Sequence, residues 1–450
     1  MRDDPRARYG DERLPRYTSY PASPHFTPEV QADTYGRWLA ALTADASASL
    51  YLHVPFCRSM CWYCGCHTTI TRHDAPIDGY LSALRREVDL VSARLEHAPL
   101  VRHIHFGGGT PTIMAPEAFG DLVALLRSRF PISPDAEIAV EIDPRTLLPE
   151  MIAAIGSSGV SRASLGVQSF DPFVQRAIRR EQSFERTADS VRSLRAAGVA
   201  GINLDLIYGL PHQTVASCID TVRLCLEMRP DRFAVFGYAH VPTFKKHQRK
   251  IDEAALPDGP ARQLQADAIA AVLLDAGYIQ IGLDHYARPD DAMARALAEG
   301  TLHRNFQGYT TDPSDVLLGF GASAIGRLPQ GYVQNETAIR SYAEKIGRGE
   351  LPAIKGYALS SDDRLRADLI EQVMCDFAVD VGQVCREHGR SPGDFLTSLP
   401  RLQILEADGL VRIEGEVVSI PDEARILVRS VAAAFDAYLG TSGRTHSRAV

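Results

Sequence analysis

The sequence predicts an α/β chain: a partial barrel of six βα units, preceded by an N-terminal arm and followed by a mostly helical, winged-helix-like C-terminal domain. Three observations predict it. Between about residues 50 and 285, short apolar runs alternate with amphipathic stretches. Past about 290 the alternation stops. From Ser360 to Leu439 the pattern is helical apart from one hairpin. The expected division is 1–45 for the arm, 46–290 for the partial barrel, 291–359 for a connecting segment that closes the active site, and 360–450 for the C-terminal domain.

The arm begins with charged residues, and its first dozen are expected to be mobile. Pro15-Arg16-Tyr17-Thr18-Ser19-Tyr20-Pro21 sets two tyrosines between two prolines, which suggests a fixed, extended segment. The candidate strands are Leu50–Val54, Val101–Phe106, Glu137–Ile142, Arg162–Leu165, Gly201–Ile207, Arg232–Tyr238 and Tyr278–Leu283. Helical patterns lie between them, at Ile77–Leu95, Pro116–Arg129, Pro149–Gly156, Phe184–Ala197 and Val215–Glu227. Such alternation means parallel βαβ units, with functional residues at the C-terminal ends of the strands. Thr301–Tyr309 is loop-like and Leu317–Ala324 is Gly-rich. Near the end, a helix stopping at Asp408-Gly409, a hairpin over Gly409–Ile420 and a further helix resemble a winged-helix unit. The tail 440–450 is polar and expected to fray.

At 45% hydrophobic and 23% charged residues, the 450-residue chain has the composition of a soluble globular protein. Its net charge of -8 argues against nucleic-acid binding, and an anionic substrate would need a local basic pocket. No apolar run approaches the roughly eighteen residues of a membrane span. The start has no apolar core, so no secretory signal is expected. Four of eight cysteines cluster, while Cys218, Cys225, Cys375 and Cys385 are scattered through helical patterns. A secreted disulfide framework would be denser and more even, so the expected compartment is the reducing cytosol.

The clustered cysteines carry the chemistry. Tyr51-Leu-His-Val-Pro-Phe-Cys57-Arg-Ser-Met-Cys61-Trp-Tyr-Cys64-Gly-Cys66 is a strand feeding a loop that presents thiols spaced Cys-x3-Cys-x2-Cys. Thiolates suit zinc or an iron–sulfur cluster. A structural zinc site wants four ligands, commonly two separated pairs, and no second pair exists here. Three thiolates on a four-iron cubane leave one iron open. Cys66, as a fourth ligand, would close it, so Cys66 is expected to be either a packing residue or a free thiol beside the open face.

Further candidates end the following strands. Phe106-Gly107-Gly108-Gly109-Thr110-Pro111 lets a ligand approach the backbone closely. Glu141 and Asp143 offer carboxylates, Asp143 doubling as a possible helix cap. Gln168 both donates and accepts. Arg179-Arg180 supplies one functional cation and one solvated one. Asp205, inside the apolar run Asn203–Ile207, is costly to bury unpaired and is the stronger functional carboxylate.

The Cys-x3-Cys-x2-Cys loop after the first barrel strand resembles the radical S-adenosylmethionine (SAM) superfamily. Within it the chain resembles the oxygen-independent coproporphyrinogen III oxidases. That resemblance rests on Pro15–Pro21, Tyr51–Cys66, Phe106–Thr112, Leu165–Phe170, Arg180–Gln182, Asp205–Pro211, Tyr238–His240, Gly282–Pro289 and His303–Thr311. It implies a [4Fe–4S] cluster on Cys57, Cys61 and Cys64 and two SAM molecules. It further implies a 5′-deoxyadenosyl radical that removes hydrogen from propionate β-carbons. Two propionates of coproporphyrinogen III then leave as CO2, giving the vinyl groups of protoporphyrinogen IX in haem biosynthesis. The resemblance assigns Tyr51, Gly108, Glu141 and Ile325 to the cluster-bound SAM. It assigns Tyr63, Gly109, Thr110, Gln168, Arg180, Asp205 and Ala239 to the second. Tyr51, His53 and Cys66 are taken as catalytic, His53 as a donor to a cluster sulfur or, equally, a satisfied strand histidine. Arg16, His303 and Arg304 are candidates for propionates. Implied partners are the substrate and an electron donor such as flavodoxin or ferredoxin, with the chain a monomer that binds neither nucleic acid nor membrane. The rival is a radical SAM haem chaperone, whose relatives typically carry Phe in place of Cys66 and lack the Arg16–Pro21 arm.

Overall fold

The structure, a computed structural model, describes residues 5–10 and 12–440. The start at 1–4, residue 11 and the tail from 441 onward lie outside the described residues. Two compact units emerge: Thr27–Pro257 with Ser314–Ala358, and Met1–Phe26 with Asp258–Pro313 and Leu359–Val450.

The first unit is built on parallel strands β1 (Ser47–Val54), β2 (Leu100–Gly108), β3 (Ile132–Ile142), β4 (Arg162–Gln168), β5 (Gly201–Tyr208) and β6 (Arg232–Gly237). They lie side by side in sequence order, each paired in parallel with the next. This is the expected parallel α/β sheet. Some of the helices between them start on side-chain caps. Ser183 Oγ accepts the Arg186 N–H at the head of Phe184–Ala196, and Thr214 and Ser217 form a capping box on Val215–Glu227. Leu50, Leu52, Val54, Phe106, Val140, Ala163, Leu165, Ile202, Leu204 and Phe233 are fully buried.

Two corrections concern the strands. Tyr278–Leu283 is not a seventh barrel strand. Ile279–Ile281 turns back and pairs antiparallel with His285–Ala287 in the second unit. The turn is set at Gly282, whose φ is +56° and where a Cβ would fall inside the Tyr309 ring. The additional parallel strand is instead β7 (Val316–Phe320), which pairs with the free edge of β1, Leu50 opposite Leu318. It extends antiparallel through β8 (Ile325–Leu328), β9 (Gly331–Asn335) and β10 (Ala353–Ala358). The Gly-rich appearance of 317–324 hid a fully buried strand.

A buried carboxylate fixes that addition. Glu87, on the helix Ala75–Ser92, accepts from the Gly321 N–H (2.6 Å), Asn335 Nδ2 (2.7 Å) and the Tyr342 hydroxyl (2.6 Å). Burial nevertheless raises its pKa to about 7. A raised folded-state value means stability is greatest with the acid protonated and falls as pH rises through about 7. Glu87→Gln is neutral at every pH. Its stability relative to the parent is therefore expected to improve by about 3 kcal/mol between pH 5 and pH 8, read by denaturant unfolding.

In the second unit, the expected mobile first dozen is partly ordered. Pro5–Gly10 is helical and Tyr9 is buried. Tyr9, Leu14, Tyr17 and Tyr20 share one core with Leu365, Leu369, Val373 and Phe435. The Pro15–Pro21 segment is fixed: Arg429 Nε donates to the Pro15 carbonyl (3.0 Å), and the Tyr20 hydroxyl accepts the Ala437 N–H (2.9 Å). The helix Pro400–Ala407 leads into the hairpin Arg412–Glu414 and Val417–Ser419, joined by Ala378–Asp380, as in a winged helix. Thr301–Tyr309 contains a short hairpin, His303–Asn305 with Gly308–Thr310, where a loop was expected. Among the described residues no helix is long and apolar enough to cross a membrane.

Candidate active site

Alternation along the strands sorts chemistry from core. In β1, Leu50, Leu52 and Val54 point one way, Tyr51 and His53 the other. Register then assembles one polar face. Tyr51 stands opposite His105, Glu141 opposite Ser164, and Gly166 opposite Asp205. The cysteine loop leaves β1 where Val54 pairs with Gly108, so the thiols and the Gly-rich turn share one end of the sheet.

Among the described residues, no group of three or more His, Cys, Asp or Glu is arranged to hold a single metal ion. The fit to a cluster is judged from what meets the sulfurs. The hydroxyls of Thr110 and Thr68 each lie 3.4 Å from Cys57 Sγ. Arg145 Nη2 (3.4 Å) and Arg180 Nη1 (3.6 Å) donate to Cys61 Sγ. The Cys66 N–H donates to Cys64 Sγ (3.4 Å). Donors on all three sulfurs are what thiolate ligands of a cluster require, and they tune its potential. Burial raises the Cys57 pKa. The Cys66 side chain, hydrogen-bonded to Cys64, lowers the Cys64 pKa and has its own raised, so the proton between them stays on Cys66.

His53 does not reach a sulfur. Its Nδ1 meets the Tyr51 hydroxyl (3.0 Å) and its Nε2 the His67 carbonyl (3.0 Å), so both ring nitrogens are engaged. The satisfied strand histidine is what the structure contains, and it orients Tyr51. Tyr51 also stacks on His105 at 5.8 Å. Gly108 has φ +117°, and a Cβ there would lie 2.7 Å from the His53 ring. A side chain at that position would thus be strained and obstructed at once. Glu141 accepts the Gly108 N–H (3.1 Å) and bonds His105 Nε2 (3.1 Å). Burial pushes its pKa up, but these two partners pull it below the usual carboxylate value, so it is charged at neutral pH.

Asp143 is no helix cap. It receives Arg145 Nη2 at 2.7 Å and Arg180 Nη2 at 3.4 Å, and both arginines go on to Cys61. Arg180 is buried and also donates to the Gly166 carbonyl at 2.7 Å, while its Nε is buried without a hydrogen-bond partner. Burial opposes its charge, yet Tyr63, Asp143 and Cys61 hold it protonated above the usual value. Arg179 is exposed, the solvated member of the pair. Gln168 is buried with φ +69°, a conformation uncommon outside glycine and clustered at functional sites. Asp205 is partly buried and accepts from Ser164 Oγ (3.0 Å) and Asn203 Nδ2 (2.7 Å). Ile325 opens β8, its carbonyl against Gly319 of β7, where a Cβ would lie 2.6 Å from it.

Several residues escaped the sequence reading. Gln248 is fully buried and donates to the Tyr63 (2.9 Å) and Ala239 (3.3 Å) carbonyls, tying together two positions singled out separately. Arg145 carried one weak signal, its place two residues after Asp143. Thr68 and His105 carried none. In the second unit, Arg304 is buried over the Tyr309 ring (4.4 Å), donates to the Arg16 carbonyl (3.3 Å), and keeps Nε and Nη1 without hydrogen-bond partners. His303 Nδ1 pairs with Glu371 (3.3 Å).

Comparison with known proteins agrees with this geometry. Residues 51–225 match the radical SAM superfamily. The chain is 64% identical over 450 residues to the oxygen-independent coproporphyrinogen III oxidase of Bradyrhizobium diazoefficiens, covering 100% of both chains. It is 42% identical over 441 residues to that of Paracoccus denitrificans, covering 98% of this chain and 97% of the other. The solved coproporphyrinogen III oxidase of Escherichia coli, a radical SAM enzyme, superposes with a TM-score of 0.90 at 36% identity, over 95% of this chain and 100% of that one. The cofactors of such enzymes are a [4Fe–4S] cluster and SAM, for which this thiol loop is suited. The chain belongs to the oxygen-independent coproporphyrinogen III oxidases of the radical SAM superfamily.

Proposed function

We propose that this protein converts coproporphyrinogen III to protoporphyrinogen IX without O2, by oxidative decarboxylation of two propionates. One observation carries the reading: a three-thiol loop, each sulfur met by a donor, in a chain 64% identical end to end to an oxidase of that name. When bound, the cluster and SAM supply one-electron cleavage chemistry that removes a hydrogen atom from unactivated carbon.

The chain's residues bind and orient. Cys57, Cys61 and Cys64 are the proposed cluster ligands. Glu141, kept ionised, accepts from the ammonium or ribose hydroxyls of the cluster-bound SAM, with Tyr51, Gly108 and Ile325 around it. Gln168, Arg180 and Asp205 offer a donor–acceptor, a fixed cation and a carboxylate to a second SAM, beside Tyr63, Gly109, Thr110 and Ala239. Arg304 retains two buried donors fit for a carboxylate such as a propionate. All eight cysteines are free thiols, which suits the reducing cytosol proposed as its location. Cys66 and the Arg16–Pro21 arm favour the oxidase over a haem chaperone.

The test is an anaerobic product assay. Reconstituted protein with SAM, a reductant and coproporphyrinogen III is expected to release CO2 and form protoporphyrinogen IX. Tight haem binding without decarboxylation would reverse the assignment.

A further inference from the structure

Beside the cysteine loop lies a segment of which the site described above uses only Gln248. Phe244-Lys245-Lys246-His247-Gln248-Arg249-Lys250 puts four cations and a histidine within six residues of a chain whose net charge is -8. Phe244 at its head is 74% exposed, the most exposed of the large apolar side chains among the described residues. Lys246, Arg249 and Lys250 are exposed as well. An aromatic ring in water, followed by cations in sequence, marks a recognition surface rather than core.

The segment is fastened to the cysteine loop. Lys245 Nζ donates to the Cys66 carbonyl (3.0 Å), His247 Nε2 to the Cys64 carbonyl (2.7 Å), and Gln248 Nε2 to the Tyr63 carbonyl (2.9 Å). Lys250 lies over the Trp62 ring at 5.8 Å. Gly65, Cys66 and His67 of the loop are themselves exposed. A partner seated on Phe244 and its cations would therefore sit against the backbone that holds the thiols.

We propose that Phe244–Lys250 is the docking surface for an acidic one-electron carrier protein. The inference rests on the reading of the loop as the cluster site. Each encounter oxidises the carrier by one electron and reduces the cluster by one; no atom or proton changes hands. An acidic carrier is repelled by the net charge of the molecule and attracted by this patch, which orients the encounter. The exposed ring of Phe244 suits a protein face better than the carboxylates of a small substrate.

Lys246→Glu/Arg249→Glu and, separately, Phe244→Ala avoid the three side chains that hold the loop. Flavodoxin, an acidic one-electron carrier, is the probe, its Kd measured by titration calorimetry at low and high salt. Charge reversal is expected to weaken binding about tenfold and flatten its salt dependence. Phe244→Ala is expected to weaken binding at both salt concentrations. Iron content and dithionite-driven decarboxylation should match the parent. An unchanged Kd, or a parent protein that does not bind flavodoxin, overturns the proposal. So does a raised KM for coproporphyrinogen III under dithionite, which would make the patch a substrate site. Dithionite-driven turnover absent from the parent would refute the oxidase reading instead, while the Kd still judges the patch.

Discussion

Cys57→Ser is expected to lose its iron, whereas Cys66→Ser keeps it. The Cys57 sulfur sits between the hydroxyls of Thr110 and Thr68, at 3.4 Å from each. A serine there is a harder, shorter ligand that stays protonated at neutral pH, and soft iron–sulfur chemistry tolerates it poorly. Cys66 differs in kind. It is exposed, and it retains its proton because the neighbouring Cys64 takes the thiolate. Iron and sulfide analysis after anaerobic reconstitution should therefore find about four irons in Cys66→Ser and fewer than about one in Cys57→Ser. Decarboxylation should be undetectable in the latter. Equal iron loss in both variants would sink the three-ligand assignment.

Arg180→Met is expected to be the most damaging change away from the thiols. The buried guanidinium serves the Gly166 carbonyl, Asp143 and Cys61 at once. Removing it takes a donor from the carbonyl and leaves Asp143 with Arg145 alone, at a cost of about 3 kcal/mol. Arg180→Lys keeps the charge but loses the planar fork, so it should fall between. The pH profile separates the charge from the packing. Burial pushes the Asp143 pKa up, and Arg180 and Arg145 pull it below the usual range. A lowered folded-state value gives stability that is present above the unfolded pKa and lost as pH falls through the folded one. Without Arg180 the folded-state value rises toward the unfolded one, so the variant's deficit should be larger at pH 7 than at pH 4. Denaturant unfolding at pH 4 and pH 7 checks it: a gap between variant and parent that is the same at both would refute the ionic account.

The legible parts of the fold were those that local pattern encodes. Six strands announced themselves as apolar runs before amphipathic helices, and the polar face followed from alternation. Asp205 stood out because it interrupts such a run and Glu141 because it closes one, whereas Tyr51 was marked by the resemblance alone. β7 was illegible because Val-Leu-Leu-Gly-Phe precedes no helix and is recognisable only by its partner, β1. Gln248 and Arg145 were missed for a related reason. Each works through backbone or sulfur atoms remote in sequence, which leave no periodic trace. His53 looked functional by proximity to Cys57, but its two nitrogens were already committed to Tyr51 and His67.

The closure of β1 by β7 has a consequence for how the chain is made. Glu87 leaves the ribosome 234 residues before Gly321, the N–H it finally accepts. At about 5–20 residues per second, the wait lasts on the order of tens of seconds. During that time β1, the strand that carries the cysteine loop, has an open edge and a carboxylate without its partners. An unpaired edge invites pairing with other chains. Assembly of the iron site is thus tied to a late event in synthesis, and a nascent chain stalled before residue 316 has the thiols in hand but no finished sheet to hold them.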